Sequence, residues 1–281
     1  MERQKESSLA GKTAIITGAS RGVGKQAALD FARRGANLVL AARTVEHDNA
    51  LPGTLGETVR QAEALGVGAL AVKTDLANRQ DLARLVDAAV ERFGAVDVLV
   101  NNAAATVGDM WDKRFMDLSH EEWLYQFEVN LHAPFALMQL AAPHMQRRGG
   151  GRMLNVTSGS GEAFRLPEES PHLVSANGRN LVVPGYFASK RALDRLGSVI
   201  APELAEMNIA VIAMHPGWVA TEMVEARLEE VPEGERMGGP VPMTIPARML
   251  VYFAACENPM EYTGRVFWAE REMAEMGIEL D

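Results

Sequence analysis

Short apolar runs rich in Val, Ile and Leu alternate along the chain with longer segments in which apolar residues recur at helical spacing. This alternation is typical of βαβ units around a parallel sheet, whose strands are buried on both faces. The pattern predicts strands at 12–17, 36–42, 68–73, 96–100, 151–157, 208–214 and 264–268. It predicts helices at 22–34, 55–65, 79–93, 120–147, 186–206 and 243–256. We therefore expect an α/β fold, a doubly wound, seven-stranded parallel sheet with helices on both faces.

Three segments lie outside this alternation, at 43–54, 159–185 and 220–242. Connections of such length tend to be functional lids or binding loops, and a disordered surface insertion is the alternative. Neither an internal repeat nor a low-complexity linker divides the sequence. We therefore expect a single domain over 1–281, with insertions at 43–54 and 159–185 and a substrate lid at 220–245.

Composition narrows the class of protein. With 281 residues, of which 47% are hydrophobic, the chain can bury a large core. The net charge of −9 is spread without runs, which argues against a nucleic-acid or anionic-membrane partner. The sequence has neither a membrane-length apolar run nor a signal-like N-terminus, and its single Cys256 excludes an internal disulfide. We expect a cytoplasmic protein that acts on a small molecule.

A glycine-rich turn joins the first predicted strand to the first predicted helix in "TAIITGASRGVGKQAALDFARRG". Glycines at such a turn, here Gly18, Gly22 and Gly24, let the backbone approach a pyrophosphate. The helix N-terminus adds amide donors and the positive end of its dipole. Because the glycines stand between a strand and a helix, they predict a dinucleotide site in a Rossmann-type fold.

The end of the second predicted strand, "NLVLAART", bears on which dinucleotide binds. An acidic residue about 20 positions after the glycines would bind the ribose 2′-OH of NAD, but Arg43 stands there instead. A guanidinium matches a 2′-phosphate in charge and geometry, and Arg21 is a second cation in the glycine loop. We predict a preference for NADP(H). Nearby Glu46 and Asp48 keep NAD(H) open as the alternative.

The pentapeptide "YFASK" places Tyr186 one helical turn before Lys190. Reduction of a ketone needs a proton donor at the oxygen, and tyrosine can donate, although its reference pKa is about 10. A lysine on the same helix face favours the phenolate and thereby lowers that pKa. The spacing predicts a proton-transfer pair, and two ordinary helix residues on one face are the alternative.

The glycine spacing TGxxxGxG resembles the short-chain dehydrogenase/reductase superfamily, classical type, and the resemblance runs from about residue 9 to about 270. It implies an NAD(P)-dependent alcohol dehydrogenase or carbonyl reductase. Together with the patterns above, it assigns cofactor contacts to Thr17, Gly18, Ser20, Arg21, Gly22, Val23, Gly24, Arg43, Asp75, Leu76, Asn102, Ala103, Tyr186, Lys190, Pro216, Gly217, Val219 and Thr221.

Several of these assignments come from three short motifs of the family. "KTDLAN" places Asp75 where the family's aspartate meets the adenine ring. "LVNNAAA" resembles the family's NNAG, with Asn101 and Ala103 beside the adenosine half and Ala104 at the usual glycine. "HPGWVAT" resembles PGxxxT and implies that Thr221 lies by the nicotinamide carboxamide.

The resemblance also implies a catalytic set of Asn130, Ser158, Tyr186 and Lys190. Ser158 ends the fifth predicted strand and is expected to polarise the substrate carbonyl. Its neighbours Thr157 and Ser160 are interpreted as capping or turn residues, and a register shifted by one residue is the alternative. Asn130, in "FEVNLHAPF", stands in mid-helix, where asparagine is disfavoured. In the family this asparagine loosens the helix and holds a water in the proton relay to the lysine.

The histidines do not indicate a metal site, because the six are scattered and none pairs with another His or a Cys at ligand spacing. His215 is interpreted as a strand-end residue. We predict that the protein needs no metal.

The segments 104–116, 159–185 and 220–245 are expected to cover the substrate. Their thioethers and rings suit an apolar substrate, although packing of the lids is an equally good explanation for any one of them. These side chains are Met110, Trp111, Phe115, Phe164, Leu166, Trp218, Met223, Met237 and Met243. The insertion "ARTVEHDNALPGTLGETVRQAEALG" weakly resembles the hydroxysteroid-dehydrogenase-like subgroup, which favours a lipid-like or steroid-like substrate.

Helices 120–147 and 186–206 carry more apolar surface than one sheet face needs, including Leu193, Leu196, Val199 and Ile200. The family usually pairs these helices, so we expect a homodimer or homotetramer. The competing function is a non-catalytic NADP-sensing or scaffold protein on the same fold. The complete set of four catalytic residue types favours the enzyme, since a sensor does not need them.

Overall fold

The computed structural model describes residues 8–46, 52–105, 115–158, 184–229 and 240–278. Its strands form one seven-stranded sheet in the order β3-β2-β1-β4-β5-β6-β7, and every neighbouring pair is parallel. The strands are β1 Thr13–Thr17, β2 Asn37–Ala42, β3 Ala69–Lys73, β4 Val98–Asn101, β5 Gly151–Val156, β6 Ile209–His215 and β7 Val266–Trp268. The predicted fold class is therefore confirmed, with strand ends displaced by at most two residues.

Helices connect successive strands. They are α1 Gly22–Arg33, α2 Leu55–Ala64, α3 Arg79–Phe93, α4 His120–Phe127, α5 Ala133–Arg147, α6 Pro184–Ala205, α7 Glu222–Glu229, α8 Thr244–Ala255 and α9 Ala269–Glu275. The order of the strands reverses between β1 and β4, where chains of this architecture bind their ligands at the carboxyl ends of the strands. In the part of the chain that the structure describes, no helix is long and apolar enough to cross a membrane.

Both faces of the sheet are buried, as the unbroken apolar strands predicted. Ile16 packs with Phe31 of α1 and Phe253 of α8 on one face. Its neighbour Ile15 packs with Leu137 of α5 on the other face. Successive side chains of a strand point to opposite faces, so each strand supplies both cores.

Local chemistry marks the ends of several helices. The Asn78 side chain accepts a 3.0 Å hydrogen bond from the N–H of Gln80 and begins α3. Gly94 ends the same helix with a φ of 74°, a left-handed conformation that glycine adopts without strain. Ser119 and Glu122 form a reciprocal capping box at the start of α4.

The expectation of one continuous helix over 120–147 was wrong, because the segment is broken at Glu128–His132, a π-helical turn between α4 and α5. Pro134 has no N–H, so the carbonyl of Asn130, four residues earlier, receives no α-helical hydrogen bond from it. A π-helical turn inserts one extra residue in such a place. Asn130 therefore does not lie in regular helix.

Two further expectations need correction. Helices α7 and α9 were not predicted from the sequence, and α7 lies inside the segment 220–242 that was expected to be irregular. Leu193 was expected on an outer, oligomer-forming surface of α6, but it is buried in the chain's own core. Val199 of the same helix is exposed at 55%.

Candidate active site

The glycine loop after β1 is shaped for close approach of a ligand. A Cβ atom at Gly24 would overlap the carbonyl oxygen of Gly18, so the first turn of α1 packs directly on the loop. Gly18 has a φ of 69°, and a Cβ there would lie 2.9 Å from the Cα of Ala103. The loop therefore leaves its backbone bare at the helix N-terminus, which is the geometry that a pyrophosphate requires.

Thr17 joins this loop to the end of β4. Its hydroxyl donates to the carbonyl of Val100 and accepts hydrogen bonds from the N–H groups of Asn102, at 3.0 Å, and Ala103, at 3.1 Å. The Asn102 amide in turn donates to the carbonyl of Thr17 at 2.9 Å. These residues, predicted from two separate motifs, are thus brought together at the point where the strand order reverses.

Asn101 lies elsewhere than expected. It is the last residue of β4 and is buried, and its amide donates a 2.9 Å hydrogen bond to Asn155 of β5. Its side chain joins two strands, so the expectation that it lies beside the adenosine half was wrong.

The remaining predicted loop residues surround the same turn. Ser20 and Val23 are buried. Arg21 is half-buried, and its guanidinium donates to the carbonyl of Gly53 at 3.4 Å. The part of the insertion 43–54 that the structure describes therefore packs on the glycine loop, while 47–51, including Asp48, lies outside the described residues.

A cleft of about 370 Å³ opens at the carboxyl ends of β2 and β3. Arg43 and Asp75 line it and are exposed. The Arg43 guanidinium donates a 3.3 Å hydrogen bond to the Tyr125 hydroxyl, and the Asp75 carboxylate accepts from the N–H of Ala77 at 3.0 Å. Leu76 is buried beneath them. The cleft therefore combines an exposed guanidinium with a carboxylate at the ends of β2 and β3.

Ser158, Tyr186 and Lys190 meet at the end of β5. A hydrogen bond joins the side chains of Ser158 and Tyr186. The Lys190 ammonium donates a 2.7 Å hydrogen bond to the carbonyl of Val156 and lies 6.0 Å from the centre of the Tyr186 ring. Helix α6 thus brings Tyr186 and Lys190 to the end of β5, where the sequence predicted Ser158.

The protonation of this group differs from the expectation. Burial raises the pKa of Tyr186 above its usual value, and the hydrogen bond with Ser158 opposes that rise only in part. Burial also lowers the pKa of Lys190 to about 8, against the charge of Asp194, which raises it. The pKa of Tyr186 is therefore raised in the structure as it stands, and not lowered as the sequence predicted, because desolvation is the largest influence on both groups.

Asn130 is fully buried in the π-helical turn, and both ends of its amide are engaged. Its oxygen accepts a 2.8 Å hydrogen bond from the N–H of Ala105, and its nitrogen donates to the Ser189 hydroxyl at 3.0 Å. Ser189 in turn donates to the carbonyl of Tyr186 at 2.9 Å. Asn130 thus connects the strand end after β4 to the backbone of the tyrosine. Sequence reasoning missed Ser189, although it stands inside the YFASK motif.

The segment from Pro216 to Thr221 closes the site from the β6 side. Gly217 turns with a φ of 83°, Val219 is buried and pairs with Val241, and the methyl group of Thr221 faces Gly22. The predicted PGxxxT residues therefore reach the glycine loop.

The same segment carries a contact that the sequence did not suggest. The N–H of Gly22, the first residue of α1, donates a 2.9 Å hydrogen bond to the Glu222 carboxylate in α7. These two residues are 200 positions apart. A carboxylate is the kind of group that a helix N-terminus favours.

Only part of the expected substrate pocket can be located. Trp218 of the PGxxxT segment and Met223, two residues after it, are half-buried. Met243 packs against the core, and Phe115 is exposed at 71%. The other named side chains, together with the insertion over 159–183, lie outside the described residues: Met110, Trp111, Phe164, Leu166 and Met237. Among the described residues no group of three or more His, Cys, Asp or Glu is arranged to hold a metal ion.

Known proteins resemble this chain over most of its length. A family model described as short chain dehydrogenase matches residues 12–170 and 173–232. The 7alpha-hydroxysteroid dehydrogenase of Escherichia coli (strain K12) is 34% identical over 218 residues, which cover 78% of this chain and 75% of that protein. A 3-oxoacyl-(acyl-carrier-protein) reductase of Staphylococcus aureus (strain Mu50 / ATCC 700699) is 31% identical over 223 residues, 79% of this chain and 80% of that protein.

A solved structure gives the same relationship. It is 7 alpha-hydroxysteroid dehydrogenase complexed with NADH and 7-oxo glycochenodeoxycholic acid, with a TM-score of 0.74, 28% identity and 93% coverage of each chain. The resemblance seen in the glycine and YxxxK motifs, including its hydroxysteroid-dehydrogenase-like element, is thereby confirmed. The chain therefore belongs to the short-chain dehydrogenase/reductase family and is an NAD(P)-dependent oxidoreductase.

Proposed function

We propose that this oxidoreductase interconverts a ketone or aldehyde and an alcohol with NADP(H), on an apolar, lipid-like or steroid-like substrate. Tyr186 is the general acid in reduction and the general base in oxidation. The observation that carries this proposal is the hydrogen bond between Ser158 and Tyr186, since two hydroxyls held together at a strand end can both reach one carbonyl oxygen.

The residues would share the proton transfer as follows. The Tyr186 hydroxyl donates its proton to the developing alkoxide, and the Ser158 hydroxyl donates a hydrogen bond to the same oxygen. The raised pKa of Tyr186 keeps the phenol protonated for reduction. For oxidation the phenol must lose that proton, and the Lys190 ammonium stabilises the resulting phenolate. Asn130, bonded to Ser189, fixes the turn of α6 that carries the tyrosine.

The glycine loop fits a dinucleotide, because any side chain at Gly24 would fill the space where its backbone and that of Gly18 meet. When bound, the nicotinamide ring supplies the hydride in reduction and accepts it in oxidation. Thr17 and Asn102 hold the loop against β4, and Thr221 approaches it from the opposite side.

The choice of NADP(H) rests on Arg43. Its guanidinium is exposed at the end of β2, and its described surroundings include Lys73 and Arg84 in the same cleft. Arg84 is paired with Asp81 at 2.7 Å. The cations that favour a ligand with an extra phosphate are therefore Arg43 and Lys73, beside Asp75. An NAD-dependent alcohol dehydrogenase is the second candidate, since the similar solved structure is complexed with NADH.

The substrate class rests on two observations. The similar proteins include a 7alpha-hydroxysteroid dehydrogenase, and Trp218 and Met223 flank the site with apolar surface. A ring and a thioether suit a large, weakly polar molecule.

The assembly that we propose is a homodimer or homotetramer of single-domain chains, with one domain over 1–281. An apolar groove of about 350 Å³ runs between α5 and α6, and Phe135 and Val199 are exposed along it. Exposed apolar patches of this kind mark contacts between proteins, and a second copy presents the same patch.

A substrate panel tests the reaction. Purified protein is given oxo-steroids, oxo-bile acids, 3-oxoacyl thioesters and small ketones, each with NADPH or NADH, and the absorbance of the reduced nicotinamide is followed. We expect turnover of an oxo-steroid or oxo-bile acid with NADPH and a loss of 100-fold or more, on the order of general acid–base catalysis, in Tyr186→Phe.

Tyr252→Phe is the matched control, because Tyr252 is buried in the opposite core and its hydroxyl contacts Tyr262. Its turnover should equal that of the wild type. If Tyr186→Phe keeps full turnover while binding the cofactor normally, the proposed chemistry is wrong. Tight NADPH binding without turnover on the whole panel would instead support the sensor alternative.

A further inference from the structure

Behind the proposed catalytic lysine lies a buried histidine–carboxylate pair that the proposed mechanism does not use. The Nε2 atom of His215 lies 3.0 Å from the Oδ2 atom of Asp194. His215 is 1% exposed and Asp194 is 3% exposed. Asp194 stands one turn after Lys190 on α6, so both side chains share a helix face.

His215 is itself held in place. It is the last residue of β6, directly before the PGxxxT segment, and its ring packs edge-on against Trp268 at a centroid distance of 4.9 Å. The pair therefore joins the helix that carries Tyr186 and Lys190 to the strand that leads into the cofactor side of the site.

Stability alone does not explain this pair. Asp194 Oδ1 and His215 Nδ1 are both buried, and neither has a hydrogen-bond partner among the described residues. Buried polar atoms are usually hydrogen-bonded, and a buried polar atom without a partner costs free energy of desolvation. Burial of this pair costs free energy of desolvation and leaves two polar atoms without a hydrogen bond in the described part of the chain. These costs indicate a role of the pair other than stabilising the fold.

The charges around Lys190 show what that role is. Burial favours the neutral amine, and the Asp194 carboxylate is the group that opposes it. Among the described residues, further charged or titratable groups near Lys190 and Asp194 are Tyr186, whose ring centre is 6.0 Å from the ammonium, and Arg191. Arg191 lies 3.5 Å from the same Asp194 oxygen but is 57% exposed, so water screens its charge.

We propose that Asp194 and His215 are positioning residues that keep the Lys190 side chain charged and in place for proton transfer at Tyr186. The proposal rests on the function proposed above for that site. The His215 imidazole donates from Nε2 to the Asp194 carboxylate and fixes it one turn from the lysine. The carboxylate then stabilises the ammonium, which needs its proton in order to favour the phenolate.

The test follows the titration of Lys190 directly. Protein labelled with 13C at lysine gives one side-chain signal for each of its six lysines, and the signal absent from Lys190→Arg is that of Lys190. We expect its titration midpoint to fall by about one pH unit or more in Asp194→Asn, because the stabilising negative charge is lost. The midpoint should stay at the wild-type value in Glu203→Gln, which removes an exposed carboxylate from the same helix.

The histidine is tested in the same way. His215→Leu removes the donor and should lower the Lys190 midpoint as Asp194→Asn does, whereas His215→Gln retains an N–H donor and should restore it. If Asp194→Asn lacks the wild-type circular dichroism spectrum, the two His215 variants carry the test. An unchanged Lys190 midpoint in folded Asp194→Asn, or in folded His215→Leu, would overturn the proposal.

Kinetics provide the second readout. In Asp194→Asn the acid limb of the kcat profile for alcohol oxidation should move to higher pH, because a Lys190 that loses its proton more easily stabilises the Tyr186 phenolate less, with KM for the alcohol unchanged. A general loss of structure would lower kcat at every pH without moving the limb, which would count against the proposal. The titration of Lys190 can be measured without turnover. A wild-type protein that is inactive on the whole panel would therefore refute the proposed function, but the Lys190 midpoints could still be compared between variants.

Discussion

The N–H of Gly22 at the start of α1 donates a 2.9 Å hydrogen bond to the carboxylate of Glu222 in α7. Helix α1 has no acidic residue in its first turn, and Arg21 makes no side-chain capping bond. Glu222 thus supplies the negative charge that the N-terminal end of the helix favours. The proposed cofactor would bring its pyrophosphate to the same place, so the two anions compete.

Removing the charge of Glu222 should tighten cofactor binding. In Glu222→Gln we expect the Kd for NADPH to fall about two- to fivefold, which corresponds to the roughly 0.3–1 kcal/mol of a charge at a helix terminus. Isothermal titration calorimetry measures it, with exposed Glu225→Gln of the same helix as the control. Weaker binding in Glu222→Gln would mean that the carboxylate contributes to the cofactor site instead.

Replacing Arg43 should reduce the selectivity between the two cofactors. Arg43→Ala removes a guanidinium that can make charge-assisted hydrogen bonds to the 2′-phosphate, so we expect the Kd for NADPH to rise roughly 10- to 100-fold. The Kd for NADH should change little, because that cofactor has no such phosphate. Arg79→Ala, at an exposed position on α3, is the control. Equal effects on both cofactors would contradict the assignment of NADP(H).

The buried Lys190 makes stability depend on pH. Its pKa in the fold, about 8, lies below the reference value of 10.5, so the unfolded chain binds more protons between those values. The free energy of unfolding must then rise with pH across that window, and the stability cost of the buried charge is fully present below pH 8. From pH 8 towards 10 the gain should approach about 2–3 kcal/mol in the cofactor-free protein.

Urea unfolding at several pH values measures this dependence. Lys190→Met lacks the titrating group and should not show the rise, whereas Lys73→Met, which removes an exposed lysine, should retain it. Because the raised pKa of Tyr186 acts in the opposite direction above pH 10, the comparison stays below that value. Identical pH dependence in wild type and Lys190→Met would show that the lysine is not buried as the structure has it.

A charge in the groove between α5 and α6 should separate the subunits. Val199→Glu places a carboxylate on an apolar residue that is 55% exposed, so its desolvation would oppose association of two copies. We expect sedimentation to show a dimer or tetramer for the wild type and a monomer for this variant. Leu65→Glu, at an apolar residue that is 43% exposed at the end of α2 and outside the groove, should leave the assembly unchanged. A monomeric wild type would refute the proposed assembly.

The sequence predicted most elements because their causes are local. The ends of α3 follow from Asn78 and Gly94, and the seven strands follow from unbroken apolar runs. The break at Asn130 was signalled by Pro134, four residues later, but it was hidden by helical periodicity on both sides. The four catalytic candidates could be predicted because their motifs stand at fixed places relative to the predicted strands and helices. The hydrogen bonds that these residues make in the fold were not predicted.

The sequence by itself determined the alternation of strands and helices, the bare backbone of the glycine loop and the residue types at the ends of the strands. These depend on neighbours a few positions away, through side-chain periodicity and backbone sterics. Only the tertiary structure decided that Glu222 reaches Gly22 and that His215 reaches Asp194. It also decided that Tyr186 has a raised and Lys190 a lowered pKa, since desolvation depends on everything packed around a group and not on its place along the chain.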